Sequence, residues 1–211
     1  MATGGIAATN CYLVVDEDAK EAALFDAPND TVAPVLEEME KRGVKLVGLW
    51  LTHGHFDHIA DHQVVRERFP DAKILIHEHD HPKLTNPGST SFTLPFAIPP
   101  GKADEFVTDK QKLMLGSHPV EVIHTPGHAP GHVMYHFPED RLLIGGDLII
   151  MGAVGRTDLP DSDEKQLFES IRKVMELPGE TNLLSGHGQP STLDQERESN
   201  QYVQLALEHK A

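Results

Sequence analysis

Lys45-Leu46-Val47-Gly48-Leu49-Trp50-Leu51 runs without a break into Thr52-His53-Gly54-His55-Phe56-Asp57-His58, and a helical pattern begins at about Ile59. The first seven residues are a short, mostly apolar run of the length expected of a buried strand. The junction between strand and helix therefore carries His53, His55, Asp57 and His58 in one loop. In extended backbone His53 and His55 can converge on one ion, while the tightening turn into the helix swings Asp57 and His58 toward a second. Gly54 has no Cβ and is expected to let this loop pack against the ions.

Outward from this loop, further strand patterns occupy Cys11 to Val15, Ala22 to Phe25, Lys73 to Ile76, Val120 to Ile123, Val133 to His136, Arg141 to Ile144 and Asn182 to Leu184. Helical periodicity covers Thr31 to Arg42, Ala60 to Phe69, Glu164 to Met175 and Leu193 to Glu208, with Asp30 and either Asp161 or Ser162 as expected caps. Such a mixture suits sheets covered by helices. Three later strands end in a glycine-flanked ligand: Thr125-Pro126-Gly127-His128, Gly145-Gly146-Asp147 and Ser185-Gly186-His187-Gly188. Open sheets place their sites beyond the carboxyl ends of strands, so these segments can meet the first loop in one crevice. Five histidines and two aspartates then suffice for two ions with positions left for water or substrate.

Composition bounds the rest. The chain has 211 residues, enough for one well-covered core, and is read as a single domain over 1–211. It contains no apolar run near the 18 to 20 or so residues of a membrane span. Its formal charge of −15, with no basic block, argues against tracking a nucleic-acid backbone. The fourteen histidines fit metal binding. A single cysteine, Cys11, and an opening without a signal-peptide pattern point to the reducing cytoplasm. Residues 81–106 hold five of the fifteen prolines and the string FTLPFAIPP. This segment is read as irregular backbone, either packing its own aromatics or walling an active site. The alternating His77-Glu78-His79-Asp80-His81 reads as a second ligand cluster, a pocket rim or a helix start; His124 shows no partner pattern.

The His53, His55, Asp57, His58 signature resembles the metallo-β-lactamase superfamily. The strings TPGHAPGH (125–132), GGD (145–147), GAVGRTDLP (152–160) and SGHGQPST (185–192) are similar to its type II glyoxalase, or hydroxyacylglutathione hydrolase-like, branch. The resemblance implies a four-layer αββα sandwich, two mixed β-sheets flanked by helices, with the metals at one edge. It implies that His53, His55 and His128 hold one ion, that Asp57, His58 and His187 hold the other, and that Asp147 bridges them. Zinc is the first choice from the nitrogen and oxygen ligands, with iron or manganese as alternatives. Asp26 has a counterpart in the family that hydrogen-bonds the metal loop, although a turn aspartate before Pro28 would look the same. Arg156 is a candidate contact for a substrate carboxylate, or else an ion partner of Asp158. His132 is a brace for the His128 loop, outside the ligand set.

The implied chemistry is attack by a metal-bridging hydroxide on a small thioester such as S-lactoylglutathione, with Asp57 orienting the hydroxide or taking its proton. Larger members of the branch continue into a helical domain that grips glutathione, and the sequence ends near Ala211, so that grip is not expected. The alternative is a mononuclear iron persulfide dioxygenase using chiefly His53, His128 and Asp147. Cys11 being the sole cysteine argues against the lactamases that carry a cysteine in place of Asp147. Lactonase activity ranks lower because Leu148, Ile149 and Ile150 follow the aspartate where a tyrosine is usual. A non-catalytic, metal-stabilised binding protein ranks low as well. The expected partner is a small-molecule thioester, with no nucleic acid and no membrane; the oligomeric state is left open.

Overall fold

Side-chain alternation sets the layers. In Ala2–Gly4 (β1), Thr9–Asp16 (β2) and Glu21–Phe25 (β3) the third strand turns Ala22 and Leu24 to one face and Ala23 and Phe25 to the other. In Lys45–Trp50 (β4) Leu49 opposes Trp50 in the same way. Strands apolar on both faces need cover on both faces. In this computed structural model, which describes residues 1–87 and 93–208, a second sheet covers one face and helices cover the other.

With Lys73–His77 (β5) and Glu105–Val107 (β6) the first sheet has six strands in chain order, antiparallel from β1 to β3 and parallel from β3 to β6. Lys112–Leu115 (β7), His118–His124 (β8), Val133–Phe137 (β9) and Leu142–Gly146 (β10) begin the second sheet. Ile149–Ile150 (β11) and Ala153–Val154 (β12) form a small ribbon, and Asn182–Ser185 (β13) and Ser191–Thr192 (β14) complete the second sheet in the order β14-β13-β10-β9-β8-β7. Only β10 and β13 run parallel in it.

Between the sheets Phe25 meets Trp50, Tyr135 and Phe137 edge-on, with ring centroids 5.4, 5.3 and 6.1 Å away. The Tyr135 hydroxyl donates to the Leu51 carbonyl at 3.0 Å and so ties one sheet to the other. On the outer face of the first sheet, Leu24, Leu49 and Ile74 share a cluster with Leu36 and Met39 of Val32–Lys41 (α1) and, past the short Phe56–Ile59 (α2), with Val65 of His62–Arg68 (α3). His81–Thr85 (α4) follows β5. On the outer face of the second sheet, Met134, Leu143 and Leu183 pack with Leu167 and Ile171 of Glu164–Val174 (α5). Beyond Leu193–Ser199 (α6), Val203 and Ala206 of Gln201–Glu208 (α7) join the same cluster. The result is the αββα sandwich of two mixed sheets.

Several local expectations need correction. The helix expected over 60–69 is the shorter α3, His62–Arg68, set off from the single turn of α2 at Phe56–Ile59 by Ala60 and Asp61. Asp61 is placed there by long-range need: its Oδ2 accepts from the amides of Thr31 and Val32 at 3.0 and 3.4 Å, so it, not Asp30, serves the open start of α1. Asp163 caps α5 by accepting from Gln166 N–H at 3.0 Å, in place of Asp161 or Ser162. Residues 193–208 break into α6 and α7 at Asn200. Segment 81–106 is not irregular throughout, because Pro82 sits in the first turn of α4, where a missing N–H costs nothing, and β6 begins at Glu105. Its positions 88–92 lie outside the described residues.

Candidate metal centre

The centre is built where β3, β4, β8, β10 and β13 end. Asp26 follows β3 with φ +59° and is buried. Its Oδ1 accepts from Thr52 N–H and its Oδ2 from the Thr52 hydroxyl, both at 2.8 Å, which pins the start of the ligand loop. The same Oδ2 lies 2.8 Å from His58 Nδ1. A carboxylate at this distance fixes a proton on Nδ1 and aims Nε2 of His58 inward, where a metal can displace its proton.

The same reasoning orients two more rings. The Thr52 hydroxyl gives its proton to Asp26, so at 3.0 Å it accepts from His53 Nδ1, and His53 Nε2 keeps its lone pair. His128 Nδ1 donates to the Arg156 carbonyl at 2.9 Å, which leaves His128 Nε2 bare. Those two bare nitrogens lie 3.1 and 2.9 Å from His55 Nδ1. One proton on His55 Nδ1 can serve one of them only, so the three converging nitrogens are short of protons and suited to a cation. Burial, then His58 and His55, push His53 well below the usual imidazole range. Burial, then His128 and Lys83, bring His55 down to about 3. Both rings are neutral near pH 7, the form that ligates a metal.

On the other side, His187 Nε2 lies 3.4 Å from Asp57 Oδ2 and 3.2 Å from Asp147 Oδ2. His58 Nε2 lies 3.4 Å from Asp57 Oδ2 and 3.5 Å from Asp147 Oδ1. Asp147 Oδ2 is also 3.5 Å from His128 Nε2, so this one carboxylate faces both groups. Burial works against it, but His58 and His187 hold Asp147 well below the carboxylate range. Burial likewise opposes the protonation of His187, yet Asp147 and Asp57 raise it to about 10. Against burial, Asp57, Asp147 and Asp26 also lift His58 well above its usual value. His58 Nε2 and Asp147 Oδ1 are buried without a hydrogen-bond partner. Unpartnered buried polar atoms of opposite character, among nitrogen and carboxylate donors, fit divalent ions.

All seven proposed ligands thus come together around one point, in the groups His53, His55, His128; His53, His58, Asp147; and Asp57, His58, His187. A Cβ on Gly186 would overlap Asp147 Oδ1 and come within 2.7 Å of His58 Cε1, so the strand end must be glycine for the carboxylate to sit there. The role expected of Gly54 is different in the structure. A Cβ there would come within 2.8 Å of the Asp80 carbonyl and 2.9 Å of Lys83 Cβ, so Gly54 makes room for α4 and not for ions.

Other residues acquire roles that the sequence did not give them. Thr9 donates to Asp57 Oδ2 at 2.6 Å. Buried Asp80 accepts from Gly54 N–H at 2.7 Å and Gly131 N–H at 2.9 Å, joining the two histidine-bearing loops. His132 Nε2 accepts the Asp147 amide at 2.9 Å while its Nδ1 meets the Thr125 hydroxyl at 2.8 Å, so it braces Asp147 as well as the His128 loop. Only His132 carried a sequence signal, its place seven residues beyond Thr125 in TPGHAPGH. The side chain of Arg156 is paired with Asp158 at 2.5 and 2.6 Å, on the rim of a cavity of about 450 Å³ over the centre. Ala7, Phe56, Leu159 and Pro160 line its apolar part, and Lys83 is the one described residue of 81–106 among its walls.

A family model of the metallo-β-lactamase superfamily matches residues 4–187. The hydroxyacylglutathione hydrolase GloC of Haemophilus influenzae is 31% identical over 201 residues, covering 92% of each chain. Among solved structures, the BLEG-1 B3 metallo-β-lactamase is 32% identical with a TM-score of 0.88, covering 96% of this chain and 98% of that one. TTHA1623 in a di-iron-bound form is also 32% identical, with a TM-score of 0.82 and coverage of 95% and 98%. Fold, ligand geometry and these likenesses agree, and the chain belongs to the metallo-β-lactamase superfamily.

Proposed function

We propose that the protein is a binuclear hydrolase of small thioesters, with S-lactoylglutathione as the first substrate to test. The carrying observation is Asp147, one carboxylate set between an all-imidazole group and a mixed carboxylate–imidazole group. His53, His55 and His128 would hold one ion, Asp57, His58 and His187 the other, with Asp147 shared. Such a pair, when bound, lowers the pKa of a shared water toward neutrality and polarises a substrate carbonyl. Zinc suits the donors, and the di-iron form of TTHA1623 keeps iron in contention beside manganese.

The chain's own residues do the rest. Asp57 is held by the Thr9 hydroxyl, and His58 keeps it ionised against the effect of burial, so its carboxylate can accept a proton from the attacking water. Phe56, Leu159 and Pro160 give the acyl and thiol carbons an apolar wall that excludes bulk water. Lys83, paired with Asp80 at 3.3 Å and Asp161 at 2.5 Å, and Arg156, paired with Asp158, are the cations at hand for the carboxylates of a glutathione moiety. A thiolate leaves readily, and the likeness to GloC supports the thioester. The −15 charge supports a small-molecule partner over nucleic acid, and a glutathione substrate fits the reducing cytoplasm.

A second reading, β-lactam hydrolysis, is favoured by the likeness to BLEG-1; the lone cysteine at position 11 argues only against the lactamases that carry a cysteine in place of Asp147. The test is loss of thioester absorbance with S-lactoylglutathione, using protein reloaded with zinc, iron or manganese, beside a chromogenic cephalosporin and oxygen uptake with glutathione persulfide. Metal-dependent thioester cleavage that falls at least about 100-fold in Asp57→Ala supports the reading. No thioester cleavage with any metal overturns it.

A further inference from the structure

Outside the centre, the ends of two strands bring three more imidazoles together. His77 closes β5 in the first sheet and His124 closes β8 in the second. Their rings are stacked with centroids 4.2 Å apart and planes 4° from parallel. His79, two residues on and exposed, sets its ring 4.8 Å from His77 and 6.3 Å from His124. One nitrogen from each ring lies within 4.8 Å of the other two. In a tetrahedral zinc site, bonds of 2.0–2.1 Å place ligand nitrogens about 3.4 Å apart. A modest swing of the exposed His79 ring with a tilt of the other two closes that gap.

The protonation pattern favours ligation. His124 Nε2 faces the Pro130 carbonyl at 3.0 Å, and a carbonyl only accepts, so Nε2 carries the proton and Nδ1 keeps a lone pair. A ligating histidine is ordinarily held in this way by a main-chain carbonyl. Among the described residues His77 Nδ1 accepts only a long hydrogen bond, from the His79 amide at 3.3 Å. Burial, then His124 and His79, bring His77 down to about 4, so its ring is neutral near pH 7. The stacked pair, with exposed His79 at the mouth, leaves an open side for water.

We propose that His77, His79 and His124 form a second divalent-metal site that takes zinc or a similar imidazole-seeking ion and ties the end of β5 to the end of β8. The tie falls next to the centre's own supports: Asp80, three residues past His77, holds Gly54 and Gly131, and Pro130 lies two residues past His128. An ion bound here stabilises the folded chain by mass action and braces both histidine-bearing loops.

The test is equilibrium dialysis of the full chain against zinc alone at about pH 7, with bound metal counted, for wild type, His79→Gln and His124→Gln. The His79 side chain is exposed, so its replacement leaves folding intact. The expected result is one more zinc per chain in wild type than in either variant up to about 10 μM free zinc, with a zinc-induced rise in melting midpoint that is larger in wild type. Equal zinc content in all three proteins would overturn the site. Zinc lost in His79→Gln but kept in His124→Gln would also overturn it, because His79 would then be acting as a lone surface ligand.

Discussion

Asp26 receives three hydrogen bonds on two oxygens, from Thr52 N–H, the Thr52 hydroxyl and His58 Nδ1. Asparagine in its place must set an NH₂ against at least one of these donors, which releases either the loop or the His58 ring. Asp26→Asn is therefore expected to weaken metal binding by about 10- to 100-fold, read by competition with a chelator. Protons give a second test. In the metal-free chain His58 is raised well above its usual pKa and His187 to about 10, so both are protonated near pH 7. Zinc must displace those protons, so binding near pH 7 should release about one proton or more and tighten as pH rises. Calorimetry in two buffers of different ionisation enthalpy measures the release, and a heat independent of buffer would contradict it. The clustered side chains were legible because His53, His55, His128, Asp147 and His187 each stand beside glycine past a strand end, with Asp57 and His58 following in the first loop. Thr9, Asp80 and the Arg156 carbonyl were not, because their partners lie 48, 26 and 28 residues away and carry no local pattern.

At the scale of elements, long apolar strands showed themselves by alternation, whereas β1, β6, β7 and β14 are two to four residues long and lie toward or at sheet edges, where half the pattern is exposed. The last helix shows the opposite failure. Its periodicity runs on through 193–208, but buried Asn200 breaks it. Asn200 Nδ2 donates to the Ala153 carbonyl and to Glu196 Oε2, both at 2.8 Å, and its Oδ1 accepts the Tyr202 amide at 3.0 Å. One side chain thus starts α7 and anchors the ribbon that follows Asp147. Asn200→Ala leaves those groups unpaired and is expected to cost about 1–3 kcal/mol. In urea unfolding this shifts the midpoint at unchanged slope; an unshifted midpoint would show that the break is set elsewhere.

Across the whole molecule, the sandwich brings strand ends from both sheets to a single edge. β3 and β4 supply Asp26 and the His53–His58 loop, while the second sheet supplies His128, Asp147 and His187. Sequence periodicity gave the faces of each strand but not which sheets would pack together; the family resemblance supplied that, since pairings such as β10 with β13 join residues 40 apart. The two half-sites therefore exist only when both sheets are assembled, and Asp147 is where they meet. Anomalous diffraction from zinc-loaded crystals tests this meeting point most directly. Two peaks about 3.5 to 4 Å apart on either side of Asp147 are predicted. A single peak at this centre, on His53, His55 and His128 or on His53, His128 and Asp147, would contradict the shared carboxylate and the binuclear account built on it.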